Sequence, residues 1–154
     1  MRGLWLLLHL AGIVIWIGGM FFAHHSLRPV LAARCEPPLR LRLMSEVLGR
    51  FFNHVLAAIG LIWISGFALL HGGAGPMPWP WLAMAALAAV MTVIFVVIKW
   101  ARYPALTEAV AKEQWPDAGK ALNSIRQLVA INLALGFLII LIATLGPIMM
   151  VSQQ

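Results

Sequence analysis

The chain has little charge and almost no cysteine. Asp, Glu, Lys and Arg make up 10% of its 154 residues, while 62% are hydrophobic. A soluble domain carries about a quarter charged residues. No soluble fold of this length hides so much apolar surface, so the solvent must be lipid. A lone cysteine, Cys35, excludes an internal disulfide and any cysteine-built metal cluster. There is no nucleophile with a neighbouring base, no phosphate-cradling glycine loop and no carboxylate pair, so hydrolytic chemistry has no apparatus. Internal repeats and low-complexity segments are also missing.

What remains is a set of long apolar runs. Crossing the hydrocarbon core takes about 20 apolar residues. Four windows meet that need: Leu4 to Ala23, Phe51 to Leu70, Trp79 to Ile98, and a stretch from about Gln127 to Val151, none containing Lys, Arg, Asp or Glu. Within lipid, helices satisfy their own backbone polar groups, which open strands cannot do. The expected fold is an all-α integral membrane protein. It is one membrane domain, an antiparallel bundle of four transmembrane helices, with spans near 4–25, 48–71, 79–102 and 124–150. Phe21-Phe22-Ala23 lacks the small residue expected three positions before a signal-peptide cut, so the first span is expected to be retained.

Proline and glycine mark the joins. GGAGPMPWP (Gly72 to Pro80) separates spans two and three, Cys35-Glu36-Pro37-Pro38 breaks the chain after span one, and Pro104 and Pro116 bracket the connection before span four. In a soluble protein, eleven basic residues against five acidic would suggest nucleic acid. Here position decides instead. Arg28, Arg34, Arg40, Arg42 and Arg50 fall in the first connection; Lys99, Arg102, Lys112, Lys120 and Arg126 border the third; Arg2 alone lies on the other side. By the positive-inside rule both long connections are cytoplasmic and both termini lie outside. All five acids share the basic side, so these connections are expected to lie along the headgroups, with TEAVAKEQW (Thr107 to Trp115) as a short interfacial helix.

One imidazole sits inside the first apolar run. At helical rise, His9 is roughly 8 Å below the outer interface. His71, Met84, Met149 and Met150 fall in the same outer layer. His24, His25, His54, Lys99 and Arg126 form an inner polar layer, about 15–20 Å from His9 at helical rise. His9 and His54 are therefore not expected to ligate one atom. His9, Gly12, Ile13, Trp16 and Met20 share one helical stripe. Gly12 and Gly19 suit close approach of a neighbouring helix or of a flat ring. Two readings stand for His9: a ligand, or an interhelical hydrogen bond. Intramembrane ionisable residues are expensive and tend to be functional. Lys99 and Arg126 read either as snorkelling interface cations or as a site for a carboxylate or propionate. Asn132 is expected to bond across helices.

The stretch LHLAGIVIWIGGMFFAHHSLRPVLA (Leu8 to Ala32) resembles the copper-resistance protein D family of bacterial inner-membrane proteins. Arg50-Phe51-Phe52, Lys99-Trp100 and LNSIRQLVAINLALG (Leu122 to Gly136) extend the resemblance over nearly the whole chain. That family is similar in layout to the HemJ-type protoporphyrinogen oxidases, which bind haem b. The resemblance implies His9 as a haem ligand and Lys99 as a functional cation. The expectation is thus a small inner-membrane haem b redox protein, passing electrons between a quinone or partner protein and a substrate. His9, Gly12 and Trp16 would hold the cofactor, Met84 or His71 would be the sixth ligand, and Lys99 and Arg126 would be the catalytic cations. The competing expectation is copper transport or resistance, with His24, His25, Met20, Met44 and Cys35 as an inner stage and His9, Met84, Met149 and Met150 as an outer one, since imidazole and thioether suit Cu(I). His54 is a further candidate metal ligand. A non-catalytic assembly subunit is the third reading. The lipid bilayer is the expected partner and a homo-oligomer is compatible with the sequence; nucleic acid is not an expected partner.

Overall fold

The computed structural model describes residues 1–71 and 78–151. Four long helices account for nearly all of them, and no strand occurs among the described residues. They are α1 (Arg2–Arg34), α2 (Pro37–His71), α3 (Trp79–Ala111) and α4 (Trp115–Val151), each with a stretch long and apolar enough to cross a membrane. The expected four-helix membrane bundle is what the structure shows. The expected turn at Gly72 to Met77 and the side chains of Met149 and Met150 lie outside the described residues.

Side-chain pairs give the register. His9 on α1 meets Ser65 on α2, and Trp63, Asn53 and Ser45 on α2 meet Thr92, Lys99 and Tyr103 on α3. Asn132 on α4 meets Met91 on α3. With Gly19 against Phe51 between α1 and α2 and Gly146 against Pro80 between α3 and α4, numbers rise on one helix as they fall on the next, so these neighbours are antiparallel. Small residues set the closest approaches. A Cβ on Gly12 would lie 2.7 Å from Ile62 Cγ1 and 3.0 Å from the Ala58 carbonyl. One on Gly136 would lie 2.9 Å from Ile17 Cδ1 and 3.5 Å from Met91 Cε, so α1, α3 and α4 converge there. Close backbone contact of this kind supplies the dispersion that holds helices together in lipid.

The helices run well past the expected spans. Pro104 was expected to bracket the connection before span four, because proline lacks an N–H and its ring clashes with the carbonyl four residues back. Pro29 stands inside α1 in the same way. In the structure a wide π turn precedes each, Ala23–Leu27 before Pro29 and Val97–Arg102 before Pro104. The extra residue opens the turn and lets the helix continue. Thr107 to Ala111 is therefore the end of α3 rather than a separate interfacial helix.

The basic end also differs from expectation. Instead of loops between spans, the connections are helical and pack together as a cap. Leu41, Met44, Ser45 and Leu48 are buried on α2, Leu106 and Ala109 on α3, and Ala118 and Ile125 on α4. Those spacings are helical, which is why α2 starts at Pro37 and α4 at Trp115 instead of near 48 and 124. The α3–α4 turn passes through Glu113 at φ 55°, and Arg42 on α2 holds its carboxylate at 2.6 Å while lying 5.3 Å over the Trp115 ring.

Candidate functional site: an apolar cavity behind His9 and a polar groove at the basic end

Two concavities matter. The first is an apolar cavity of about 430 Å³ in the N-terminal half of α1. All four helices wall it: His9, Ile13 and Trp16 from α1, Ile62, Trp63 and Gly66 from α2, Trp81, Met84 and Met91 from α3, and Ile139 and Ala143 from α4. That volume falls within the range of cofactor and small-molecule pockets. Trp63 Nε1 donates to Thr92 Oγ1 at 3.2 Å, and Thr92 donates on to the Ala88 carbonyl at 2.7 Å, tying α2 to α3 beside it.

The His9 ring is half-buried and turned toward α2. Its Nδ1 lies 3.1 Å from the Ile62 carbonyl and 3.0 Å from Ser65 Oγ. A carbonyl only accepts. Ser65 Oγ also lies against the Leu61 and Ile62 carbonyls of its own helix, which can only accept its single proton, so toward His9 the hydroxyl is assigned as an acceptor as well. Two acceptors on Nδ1 put the imidazole proton there. Nε2 keeps its lone pair and has no hydrogen-bond partner among the described residues. Metal-binding histidines are commonly held this way, with one nitrogen donating to a carbonyl and the other free to ligate.

The other expected cofactor residues divide. Trp16 and Met84 line the cavity with His9. Gly12 does not: its space is taken by Ile62 and Ala58, so it serves helix packing rather than a ring. His71 is exposed at the end of α2, with Nδ1 donating to its own Phe67 carbonyl at 2.9 Å, and it lines neither concavity. Met91 and Ser65 carry no place in the sequence reading of the site. A polar residue four positions before the Leu69-Leu70 end of an apolar span was the available signal for Ser65.

The expected inner histidines are not gathered. His54 is exposed and donates Nδ1 to the Arg50 carbonyl at 2.8 Å. His24 and His25 have ring centroids 5.0 Å apart, and His25 stacks on Phe21 at 4.6 Å. Among the described residues no three or more of His, Cys, Asp and Glu come together as a metal site. Met20 and Met44, both plausible soft ligands by type, are core residues.

The second concavity is a groove of about 500 Å³ between α2 and α3 at the basic end, lined by Glu46, Gly49, Arg50, Asn53, Lys99 and Tyr103. Lys99 Nζ donates to Asn53 Oδ1 at 2.9 Å, and Tyr103 donates to the Ser45 carbonyl at 3.2 Å. Gly49 is opposite the Tyr103 hydroxyl, where a Cβ would collide. Arg126, half-buried on α4, lines neither concavity. Lys99 and His9 thus belong to different places. Their partners Asn53 and Ser65 are roughly 18 Å apart along α2 at the helical rise.

Fold and site together define a multi-pass helical membrane protein with a largely apolar cavity and one histidine in its wall. The sequence matches the family Copper resistance protein D over residues 45–145, about two thirds of the chain, and the chain belongs to that family. The matched segment contains Ser65, Met84, Met91 and Lys99; His9 precedes it. Neither the curated proteins nor the solved structures include a match.

Proposed function

We propose that this member of the copper resistance protein D family is a haem b-binding redox protein of the bacterial inner membrane, and that the cavity behind His9 holds the macrocycle. The observation that carries the reading is the state of one ring. Ile62 and Ser65 fix the His9 proton on Nδ1, which leaves Nε2 as a ligand beside an apolar cavity of about 430 Å³. The lining suits a flat, mostly apolar guest: Trp16 and Trp81 offer aromatic walls, and Gly66 leaves the His9 ring unobstructed. When bound, haem iron supplies a one-electron couple tuned by its axial ligand and surroundings. The chain's own contribution is to hold the His9 tautomer, exclude water with an apolar wall and keep the guest within lipid, where a quinone can exchange electrons. Met84, on the cavity wall, would be a second residue able to hold the group.

The test is a reduced-minus-oxidised absorbance spectrum of the purified protein. A Soret band and an α band are expected in the wild type and are lost in His9→Ala. A wild-type protein without these bands, or bands indifferent to His9→Ala, removes the reading.

Copper handling is the second reading. Its specific support is that the Met84 and Met91 thioethers line the same cavity as His9, a donor set suited to Cu(I). It predicts that a strain carrying Met84→Leu together with Met91→Leu loses copper tolerance to the same degree as a deletion strain. Normal tolerance in the deletion strain rejects it. In both readings the basic end faces the cytoplasm and the termini face outward, as the charge asymmetry argues.

A further inference from the structure

The groove between α2 and α3 holds Lys99, expected from the sequence to serve a haem site, but neither His9 nor Arg126, and the cavity readings proposed above do not use it. Arg50 and Lys99 face it from the two helices, each at the boundary of an apolar run: Arg50 directly precedes Phe51-Phe52, and Lys99 directly follows Val97-Ile98. Both cations therefore stand at headgroup depth, where long basic side chains snorkel. Trp100 reinforces that placement. It is 56% exposed next to Lys99, with Nζ 5.7 Å from its ring, the position of an interfacial aromatic.

The charges in the groove are unspent. The ion pairs among the described residues are Arg42–Glu113, Lys112–Glu108 and Lys120–Asp117, and none involves Arg50, Lys99 or Glu46. Lys99 meets only the neutral carbonyl oxygen of Asn53, which leaves it further N–H donors. The one acid, Glu46, sits on the same helix as Arg50 without reaching it or Lys99 within ion-pair distance. Two cations and one carboxylate give the groove a net charge of one positive. Asn53 and Tyr103 add neutral polar groups, and the concavity has room for a headgroup.

We infer that this groove is a phosphate site, with Arg50 and Lys99 holding the anionic oxygens through charge-assisted hydrogen bonds. Its depth favours the phosphodiester of an anionic phospholipid as the source, and a free phosphate ion shares the same chemistry. Glu46 opposes the anion and sets an upper limit on its affinity. The inference goes beyond the haem and copper readings and rests on neither.

The experiment is native mass spectrometry of the full chain released from nanodiscs of equimolar phosphatidylglycerol and phosphatidylcholine, counting retained lipids. Wild type is expected to retain phosphatidylglycerol preferentially. The Arg50→Gln, Lys99→Gln double variant is expected to lose that preference by roughly tenfold or more, as for removal of charged hydrogen bonds. Glu46→Gln is expected to increase it, a gain that misfolding cannot produce. A second arm measures binding of radiolabelled orthophosphate in phosphatidylcholine nanodiscs. Binding there that is weakened by the double variant, without lipid preference, identifies a free anion as the source. The inference is overturned if neither arm shows a preference, or if the double variant and Glu46→Gln behave as wild type in both. Lipid and phosphate are counted without reference to any pigment, so this outcome is independent of the spectrum that tests His9.

Discussion

At the scale of single residues, the most informative group is Ser65. It is 1% exposed on α2, and its hydroxyl lies against the Leu61 and Ile62 carbonyls of its own helix. It acts on the proposed cofactor only through His9, as a positioning residue. Ser65→Ala leaves the Ile62 carbonyl as the remaining acceptor for Nδ1. The expected result is haem affinity weakened roughly tenfold but not abolished, the usual consequence of removing an outer partner of a ligand. Titration of the apoprotein with haemin measures it, and Ser65→Thr should restore most of the loss. Asn132 behaves differently. Its Nδ2 donates to the Met91 carbonyl at 3.1 Å, while its buried Oδ1 has no partner among the described residues. An unsatisfied buried acceptor costs about 1–3 kcal/mol. Asn132→Leu is therefore expected to leave the thermal midpoint unchanged or raise it, read by melting in detergent. The interhelical bond of Asn132 was legible from the sequence because a lone amide in lipid has to find a partner. The tautomer of His9 was not, because it depends on a serine on another helix whose own proton direction only the fold reveals.

At the scale of the helix, glycines that look alike in sequence differ in consequence. Gly12 faces the Ala58 carbonyl, which cannot move aside, whereas a Cβ on Gly18 meets nothing within 4 Å. Gly12→Val is expected to destabilise by about 1–3 kcal/mol through overpacking, while Gly18→Ala should fall within about 0.5 kcal/mol of wild type. Denaturant or thermal unfolding of both variants in one detergent separates them. The spans themselves were readable from hydropathy, since lipid requires unbroken apolar runs. Their ends were not. Charged residues at the basic end suggested loops, yet Leu41, Met44, Leu48, Leu106 and Ile125 mark faces that pack against each other. Proline misled for a related reason: its cost to a helix is real, but one wide turn before Pro104 absorbs it.

At the scale of the whole molecule, the charge distribution assigns a direction. The helical cap that carries Arg28, Arg40, Arg42, Lys112 and Lys120 is expected in the cytoplasm. Cys35, the single cysteine, lies half-buried in the break between α1 and α2 at that end. A membrane-impermeant maleimide should therefore leave it unlabelled in intact spheroplasts and label it after permeabilisation; labelling of intact spheroplasts reverses the assignment. The bundle itself is assembled from two hairpins. α1 packs chiefly on α2, and α3 chiefly on α4. The cavity is the seam where they meet, with His9 contributed by the first and Met84 by the second. A cofactor held there would act as a rivet between two halves that could each insert as they leave the ribosome. Colour would then report assembly as well as ligation: severed between residues 71 and 78 and co-expressed, the two pieces should turn red only when they find each other.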